Sequence, residues 1–159
     1  MNGASTWQCQ CSIEVDVPVS FAWRYMTDIR NWNDPPAEFT LDGPFVEGSR
    51  GITEMPGRPP AMWTIRDVEP GRAYTIEGGS FLERAVLLVH WRFDSLSERT
   101  ATLTQRIELL GENAAAYVDD IKSAFEPNME PGLRRIAQSM ERRHIEAGAA
   151  RPDPPATAR

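Results

Sequence analysis

Residues 114–147, AAAYVDDIKSAFEPNMEPGLRRIAQSMERRHIEA, are the stretch that decides the fold. Their large apolar residues recur with the 3.6-residue period of a helix and form one stripe, whereas the charged residues fall elsewhere. The stripe consists of Val118, Ile121, Phe125, Met129, Leu133, Ile136 or Ala137, and Met140. A long amphipathic helix needs a broad apolar partner, which the rest of the chain has to supply.

Two prolines, Pro127 and Pro131, interrupt this periodic run. Proline is tolerated in the first turn of a helix, where the backbone N–H groups have no intrahelical partner. With Asn128 as an N-cap, Pro131 would lie in the first turn of a second segment. The pattern therefore predicts a kinked helix that ends near Gly148, a residue type favoured just after a helix C-terminus.

The N-terminal part of the chain predicts one strand followed by two short helices. Residues 7–17 alternate between apolar and polar, which predicts an antiparallel strand with one buried face. The apolar row consists of Trp7, Cys9, Cys11, Ile13, Val15 and Val17. Pro18 suits the first turn of a helix from Val19 to about Thr27. Residues 28–34 are compatible with a second helical turn, which Pro35 and Pro36 end.

Between Pro36 and Gly111 the chain has no pattern of helix length. Short alternating segments are separated by polar, turn-forming residues, as in hairpins of a meander. We expect about six strands here, at residues 38–41, 50–55, 61–68, 72–78, 85–94 and 100–110. The order of elements predicts an α+β fold, in which a curved antiparallel sheet of about seven strands wraps on the long helix.

This arrangement bears on function, because a helix that crosses a curved sheet contacts it at the ends more readily than in the middle. Side-chain size then decides whether a cavity remains between them. We expect a single domain over residues 1–147. Residues 148–159 lack large apolar groups and are predicted to form a flexible tail.

Composition argues against several classes of partner. The net charge is −6 and the pI is about 5.0, whereas nucleic-acid or anionic membrane binding needs clustered Lys and Arg. The sequence has no signal peptide and no apolar stretch of about 20 residues, so we expect a cytoplasmic protein without a membrane span. An exposed sheet face or edge strand is compatible with a homodimer.

The two cysteines, Cys9 and Cys11, are predicted to be reduced core thiols. They lie two residues apart on one strand, where their side chains point the same way and a disulfide would be strained. The sequence has no further cluster of Cys or His, so we expect neither a metal site nor a cofactor.

Nucleophilic catalysis is not indicated by the two histidines, His90 and His144. A triad needs Ser or Cys within reach of a His that a carboxylate orients. His90 follows the polar row of its strand and is predicted on the outer face of the sheet, although a reversed parity would make it a general-base candidate. His144 is predicted to have a structural role near the helix C-terminus.

Several short motifs, in their order and spacing, resemble the START/SRPBCC superfamily, nearest to its polyketide cyclase/dehydrase-like members. They are Asp16-Val17-Pro18 with Ala22-Trp23, residues 28–32, Gly43-Pro44-Phe45 with Glu47-Gly48-Ser49, residues 63–71, Trp91-Arg92-Phe93 and residues 100–111. The resemblance covers roughly residues 7–146. It implies the helix-grip fold, with a pocket between the long helix and the sheet that holds an apolar small molecule. Members share no universal catalytic motif, so no catalytic role is carried over.

Six inward-pointing side chains are candidates for lining such a pocket: Trp63, Tyr74, Trp91, Gln105, Met129 and Leu133. Gln105 and the Tyr74 hydroxyl are the most informative, because a buried polar group without a partner costs roughly 1–3 kcal/mol. They need water, a protein partner or a ligand. Arg66 and Arg106 are further candidates if the assignment of strand faces shifts by one residue.

Three functions remain open from the sequence. The first is binding of a hydrophobic or aromatic small molecule, lipid or polyketide-like, in the internal cavity. The second is a cyclase or dehydratase that acts on a poly-ketone chain by general acid–base chemistry, which requires titratable groups that converge in the cavity. The third is a filled core, with a role in protein association.

Overall fold

The computed structural model describes residues 4–32 and 36–150. Its elements are β1 (Trp7–Val15), α1 (Val19–Met26), β2 (Glu38–Asp42), β3 (Arg50–Glu54), β4 (Ala61–Glu69), β5 (Ala73–Gly78), β6 (Val86–Ser95), β7 (Ala101–Leu110) and α2 (Val118–Ala150). Two short 3₁₀ helices, Ile29–Asn31 and Ala114–Tyr117, precede β2 and α2. The predicted α+β order is confirmed, and the predicted strands agree with the observed ones within one or two residues at each end. Asn33 and Asp34 of the predicted second helical turn, and Pro35 after it, lie outside the described residues.

The seven strands of the described residues form one antiparallel sheet, in the order β1-β7-β6-β5-β4-β3-β2. Strands β2 to β7 follow one another as a meander, and β1 pairs with β7 in full register from Trp7 opposite Leu109 to Val15 opposite Ala101. Alternate residues of β1 are half-buried or buried, as the alternation of the sequence predicts. These residues face α2, and we call their side of the sheet the inner face.

Helix α2 runs without a break and contains both Pro127 and Pro131. The predicted second start at Asn128 is therefore wrong. The side-chain amide of Asn128 instead donates to the carbonyl of Ala124, one turn earlier in the same helix, at 2.9 Å. Both prolines are exposed to solvent, so water can replace the missing backbone donors while the opposite side of α2 packs against β1.

Helix α2 ends at Ala150, within two residues of the predicted end near Gly148. Gly148 itself is helical and lacks the left-handed φ of a glycine that follows a helix C-terminus, so its predicted role as that residue is wrong. The predicted tail is helical as far as Ala150, and residues 151–159 lie outside the described residues. The division into one domain and a flexible tail stays a prediction.

The core consists of two clusters of buried side chains, one toward each end of α2. The tyrosine cluster comprises Val15, Val17, Ala22, Met26, Tyr74, Trp91, Phe93, Ala101, Leu103, Leu133, Ala137 and Met140. The leucine cluster comprises Leu82, Ala85, Leu87, Ile107, Leu109, Ala114, Ile121 and Met129. Helix α2 is thus fixed to the sheet at two places, as expected for a helix across a curved sheet.

Candidate ligand-binding site

Four inner-face side chains form a row across the middle of the sheet. Tyr74 on β5 lies opposite Trp91 on β6, Trp91 lies opposite Gln105 on β7, and Gln105 lies opposite Cys11 on β1. Directly paired residues of antiparallel strands point to the same face, so the four side chains are neighbours on the inner face. Three of them are residues that the sequence analysis proposed for the pocket.

Solvent reaches the middle of this inner face. Cys11, Ile76, Val89 and Gln105 lie on it in central or adjoining positions, yet each is only partly buried. Cys11 and Val89 pack against both core clusters and therefore mark the seam between them. The inner face is therefore covered incompletely between the two clusters. We call this incompletely covered region, beside α2, the cleft.

The most deeply buried polar group of the row is the hydroxyl of Tyr74. This residue is 1% exposed, and its ring lies 4.9 Å from that of Phe45, 5.9 Å from Trp23 and 6.0 Å from Phe93. The hydroxyl has no hydrogen-bond partner among the described residues. Burial raises the pKa of Tyr74, so the phenol stays protonated and can donate a hydrogen bond.

Gln105 points to the predicted face of the sheet but is less buried than predicted. It faces inward between Cys11 and Trp91, but it is partly buried and its amide is not among the fully buried groups that lack a partner. The prediction of a buried polar group that needs compensation is therefore wrong for Gln105. It applies to Tyr74. Gln105 instead presents an amide donor and acceptor at the seam.

Trp63 lies apart from the row, toward the β2 edge of the sheet. Its ring covers Gly51 so closely that a Cβ there would stand 2.1 Å from Cζ2 of the indole. Its Nε1 donates to Oγ1 of Thr53 at 3.0 Å, and its ring lies 5.3 Å from that of Trp32. These contacts are those of a core residue, so the structure does not bring Trp63 together with Trp91.

The two candidate residues of α2 belong to different clusters. Leu133 packs in the tyrosine cluster with Tyr74, whereas Met129 packs in the leucine cluster. The thiol of Cys9 lies 3.0 Å from the Met129 sulfur. Burial raises the pKa of Cys9, and the nearby charge of Glu126 adds to this effect. The Cys9 thiol therefore stays protonated.

Aromatic residues from outside the longer strands complete the surroundings of Tyr74. Trp23 comes from α1, Phe45 from the β2–β3 connection and Trp32 from just after the first 3₁₀ helix; the ring of Trp32 lies 6.1 Å from that of Phe45. None of these three residues was predicted from the sequence to line the pocket. Their only signal was their presence in the motifs that carry the family resemblance, because periodicity does not assign direction in irregular segments.

The outer face of the sheet carries a polar network around Glu108. His90 joins Glu108 to Thr75: its Nε2 donates to Oε1 of Glu108 at 2.6 Å, which leaves Nδ1 to accept from the Thr75 hydroxyl at 2.8 Å. Ser5 and Arg106 also donate to the carboxylate. Burial opposes ionisation, but the bonds from Ser5 and His90 and the charge of Arg106 hold the pKa of Glu108 below its usual range.

The pairing of the strands shows on which face of the sheet each candidate catalytic side chain lies. His90 lies on the outer face, as predicted, and so does Arg106, which pairs with it across the sheet. The Thr75 hydroxyl beside His90 is not an available nucleophile, because Thr75 is only 4% exposed. Among the described inner-face residues of the strands, the titratable groups are those of Cys9, Cys11 and Tyr74. No acid–base pair therefore converges there.

Residues 4–32 and 36–150 contain no group of three or more His, Cys, Asp or Glu side chains that could hold a metal ion. In the same ranges, the helices are too short or too polar to cross a membrane.

The family of the chain is decided by comparison with known proteins. A family model described as polyketide cyclase / dehydrase and lipid transport matches residues 6–141. The chain belongs to this family. The family resemblance of the sequence motifs is thereby confirmed. A sequence search of the curated proteins finds no match for this family member.

Solved structures of similar fold include enzymes. A norcoclaurine synthase point mutant from Thalictrum flavum, in complex with a transition-state analogue, has a TM-score of 0.70 at 10% identity, over 91% of this chain and 99% of its own. The ZhuI aromatase/cyclase from Streptomyces sp. R1128 has a TM-score of 0.68 at 16% identity, over 89% and 98%. The di-domain aromatase/cyclase StfQ, from the steffimycin biosynthetic pathway, has 0.65 at 13%, over 87% and 52%. Identities this low show the fold alone, and the helix-grip prediction is thus confirmed. The family model, and not these structures, supports a hydrophobic ligand-binding or cyclase role.

Proposed function

We propose that this family member binds a hydrophobic, ring-containing small molecule in the cleft between α2 and the inner face of the sheet. The observation that carries this proposal is the Tyr74 hydroxyl, a fully buried donor without a partner among the described residues. A ligand oxygen is the partner that would remove its unfavourable burial. Gln105, two strands away in the same row, would supply the second polar contact.

The chemistry of the row defines the class of ligand. Trp91 on the sheet and Leu133 on α2 are apolar members of the tyrosine cluster, and the protonated phenol of Tyr74 can donate to a carbonyl or ether oxygen. A few polar groups in an otherwise apolar cleft are typical of sites that orient a small molecule. We therefore expect an uncharged ligand with oxygen substituents, either lipid or polyketide-like.

A cyclase or dehydratase role is the second candidate, favoured by the aromatase/cyclases of similar fold. It would use the same cleft, with the Tyr74 phenol aligning a carbonyl of a folded poly-ketone chain. General acid–base catalysis works best with a pKa near the operating pH. Burial moves the pKa of Tyr74 away from that range, so we place binding before catalysis.

Native mass spectrometry of the purified chain, followed by organic extraction, tests the proposal. We expect an adduct of small-molecule mass, which organic solvent removes and which contains rings and oxygen. A protein that is free of adduct and also fails to bind apolar fluorophores would support the filled core and overturn the proposal. Conversion of an added poly-ketone chain, beyond its spontaneous cyclisation, would move the conclusion to the second candidate.

The Gln105→Leu variant tests the polar contact at the seam. We expect weaker binding of the extracted ligand, by about tenfold for a lost hydrogen bond of ordinary strength. Gln10→Leu is the matched control, because Gln10 lies on the outer face of β1, paired with Arg106. Equal affinities of the two variants would remove Gln105 from the site.

The setting of the protein is also part of the proposal. We place it in the cytoplasm, where the thiols of Cys9 and Cys11 would stay reduced. We propose no nucleic-acid partner, because the net charge of −6 repels phosphate. A homodimer through the sheet edge at β2 remains compatible with the fold, and light scattering would detect it.

A further inference from the structure

A groove of about 610 Å³ lies away from the cleft, where α1 and the first 3₁₀ helix meet the last turns of α2. Its volume falls in the range of about 300–1,000 Å³ that is typical of small-molecule sites. Its walls are formed by Pro18, Ser20, Phe21, Arg24, Tyr25, Asn31, Arg143, His144, Ala147 and Gly148. None of the residues proposed for the cleft contributes to it.

One wall of the groove is aromatic. The ring of Phe21 lies 4.6 Å from that of His144 in an edge-on arrangement and 6.5 Å from that of Tyr25. All three residues are partly buried, so each keeps ring surface open to the groove. A planar ring of a ligand can pack against such a wall in the offset or edge-on geometry that aromatic pairs prefer.

The groove also carries positive charge without an internal counter-charge. Arg24 and Arg143 are exposed, and neither forms a salt bridge within the described part of the chain. Each makes only a long bond of 3.4 Å to a neutral acceptor, the Ser20 carbonyl for Arg24 and Oδ1 of Asn31 for Arg143. Guanidinium N–H groups therefore remain available to an anion.

The nearby carboxylate of Asp28 does not cancel this charge. Arg30 binds it through two hydrogen bonds of 2.9 and 2.7 Å. These bonds hold the pKa of Asp28 below its usual range, and Arg143 adds a smaller effect. The groove walls contain no acidic residue, although the whole chain has a net charge of −6. The groove is therefore basic and aromatic, whereas the protein as a whole is acidic.

The geometry points to a second ligand site, in which this groove binds an aromatic anion. The ring would pack on Phe21, Tyr25 and His144, and the carboxylate, sulfonate or phosphate group would bind Arg24 and Arg143. The last turns of α2 present the negative end of a helix dipole, which opposes an anion. Binding therefore depends on the two arginines. The inference is independent of the function proposed for the cleft.

Isothermal titration with 2-naphthalenesulfonate at low salt tests this site on the full chain. We expect saturable binding that weakens with salt, whereas the uncharged 2-naphthalenesulfonamide should bind much more weakly. The double variant Arg24→Gln/Arg143→Gln should lose about tenfold or more in affinity. Its matched control is Arg99→Gln/Arg135→Gln, which makes the same change of net charge at two exposed arginines outside the groove.

A second measurement locates the bound anion without relying on a variant. The NMR signals of the Phe21, Tyr25 and His144 rings should shift on titration, and those of Trp91 should not. Equal losses of affinity in the two double variants would show that the arginines act only through long-range charge, and this would overturn the site. Binding that shifts Trp91 and leaves Phe21 unchanged would assign the anion to the cleft and also overturn it.

Discussion

Substitution of Tyr74 by Phe is the sharpest test of the cleft, because it should stabilise the empty protein and weaken the loaded one. Tyr74 is 1% exposed, and its hydroxyl has no partner among the described residues. Burying such a group costs roughly 1–3 kcal/mol. Phe removes the hydroxyl and keeps the ring, with its contacts to Phe45, Trp23 and Phe93.

The expected gain is about 1–2 kcal/mol in the free energy of unfolding of the ligand-free protein. For a domain of this size, each kcal/mol raises Tm by about 2–4 °C. Urea and thermal denaturation of the ligand-free protein measure both quantities. Tyr117→Phe is the matched control: the Tyr117 hydroxyl accepts a bond of 3.0 Å from the Glu83 backbone N–H, so its removal should be neutral or destabilising.

The ligand supplies the second half of the test. If its oxygen accepts from Tyr74, the ligand raises Tm less in Tyr74→Phe than in the wild type, and the order of the two proteins reverses at saturation. A Tyr74→Phe variant that is less stable than the wild type when empty would refute the assignment of an unsatisfied hydroxyl. An equal ligand-induced shift in both proteins would place the hydroxyl outside the site.

Three further substitutions test the fold. Glu108→Gln should lower stability at neutral pH by about 1–3 kcal/mol. Because the folded-state pKa of Glu108 lies below the ordinary 4.5, the ionised carboxylate stabilises the fold above pH 4.5, and the difference in stability between variant and wild type should vanish as the pH falls through the folded-state pKa. A difference in stability that grows in acid would contradict this. Pro131→Ala should raise the free energy of unfolding, measured in urea, by about 2 kcal/mol, because the Pro127 carbonyl regains a backbone donor within a continuous helix. A neutral or destabilising effect would support a helix start at Asn128. Gly51→Ala should cost about 1–3 kcal/mol or more, because its Cβ would clash with the Trp63 ring at 2.1 Å; wild-type stability would show that the ring is free to move.

The strand faces were predictable because alternation has a period of two residues and leaves one choice per strand. Tyr74, Trp91 and Gln105 were placed on the inner face in this way, and the structure puts them in one row. The degree to which each inner-face side chain is buried was not predictable from the same pattern. Gln105 lies at the seam and Tyr74 lies in a cluster, and this difference depends on where α2 crosses the sheet.

The break at Asn128 was predicted from a local rule that tertiary packing overrides. A proline in a helix removes one donor, but Pro127 and Pro131 both lie on the exposed side of α2. The apolar side keeps its contacts, so the helix continues. Phe45 and Trp32 were missed for another reason, since residues in irregular segments have no period from which their direction can be inferred.

The pairing of β1 with β7 affects how the chain is made. Strand β1 leaves the ribosome long before its neighbour β7, which is complete only after residue 110 has been synthesised. Until then the row from Trp7 to Val15 has neither a strand beside it nor α2 over it. Closing so long a loop is slow, and the waiting apolar edge is prone to aggregate. Nascent chains that stop before β7 should therefore depend on chaperones, whereas the completed chain should not.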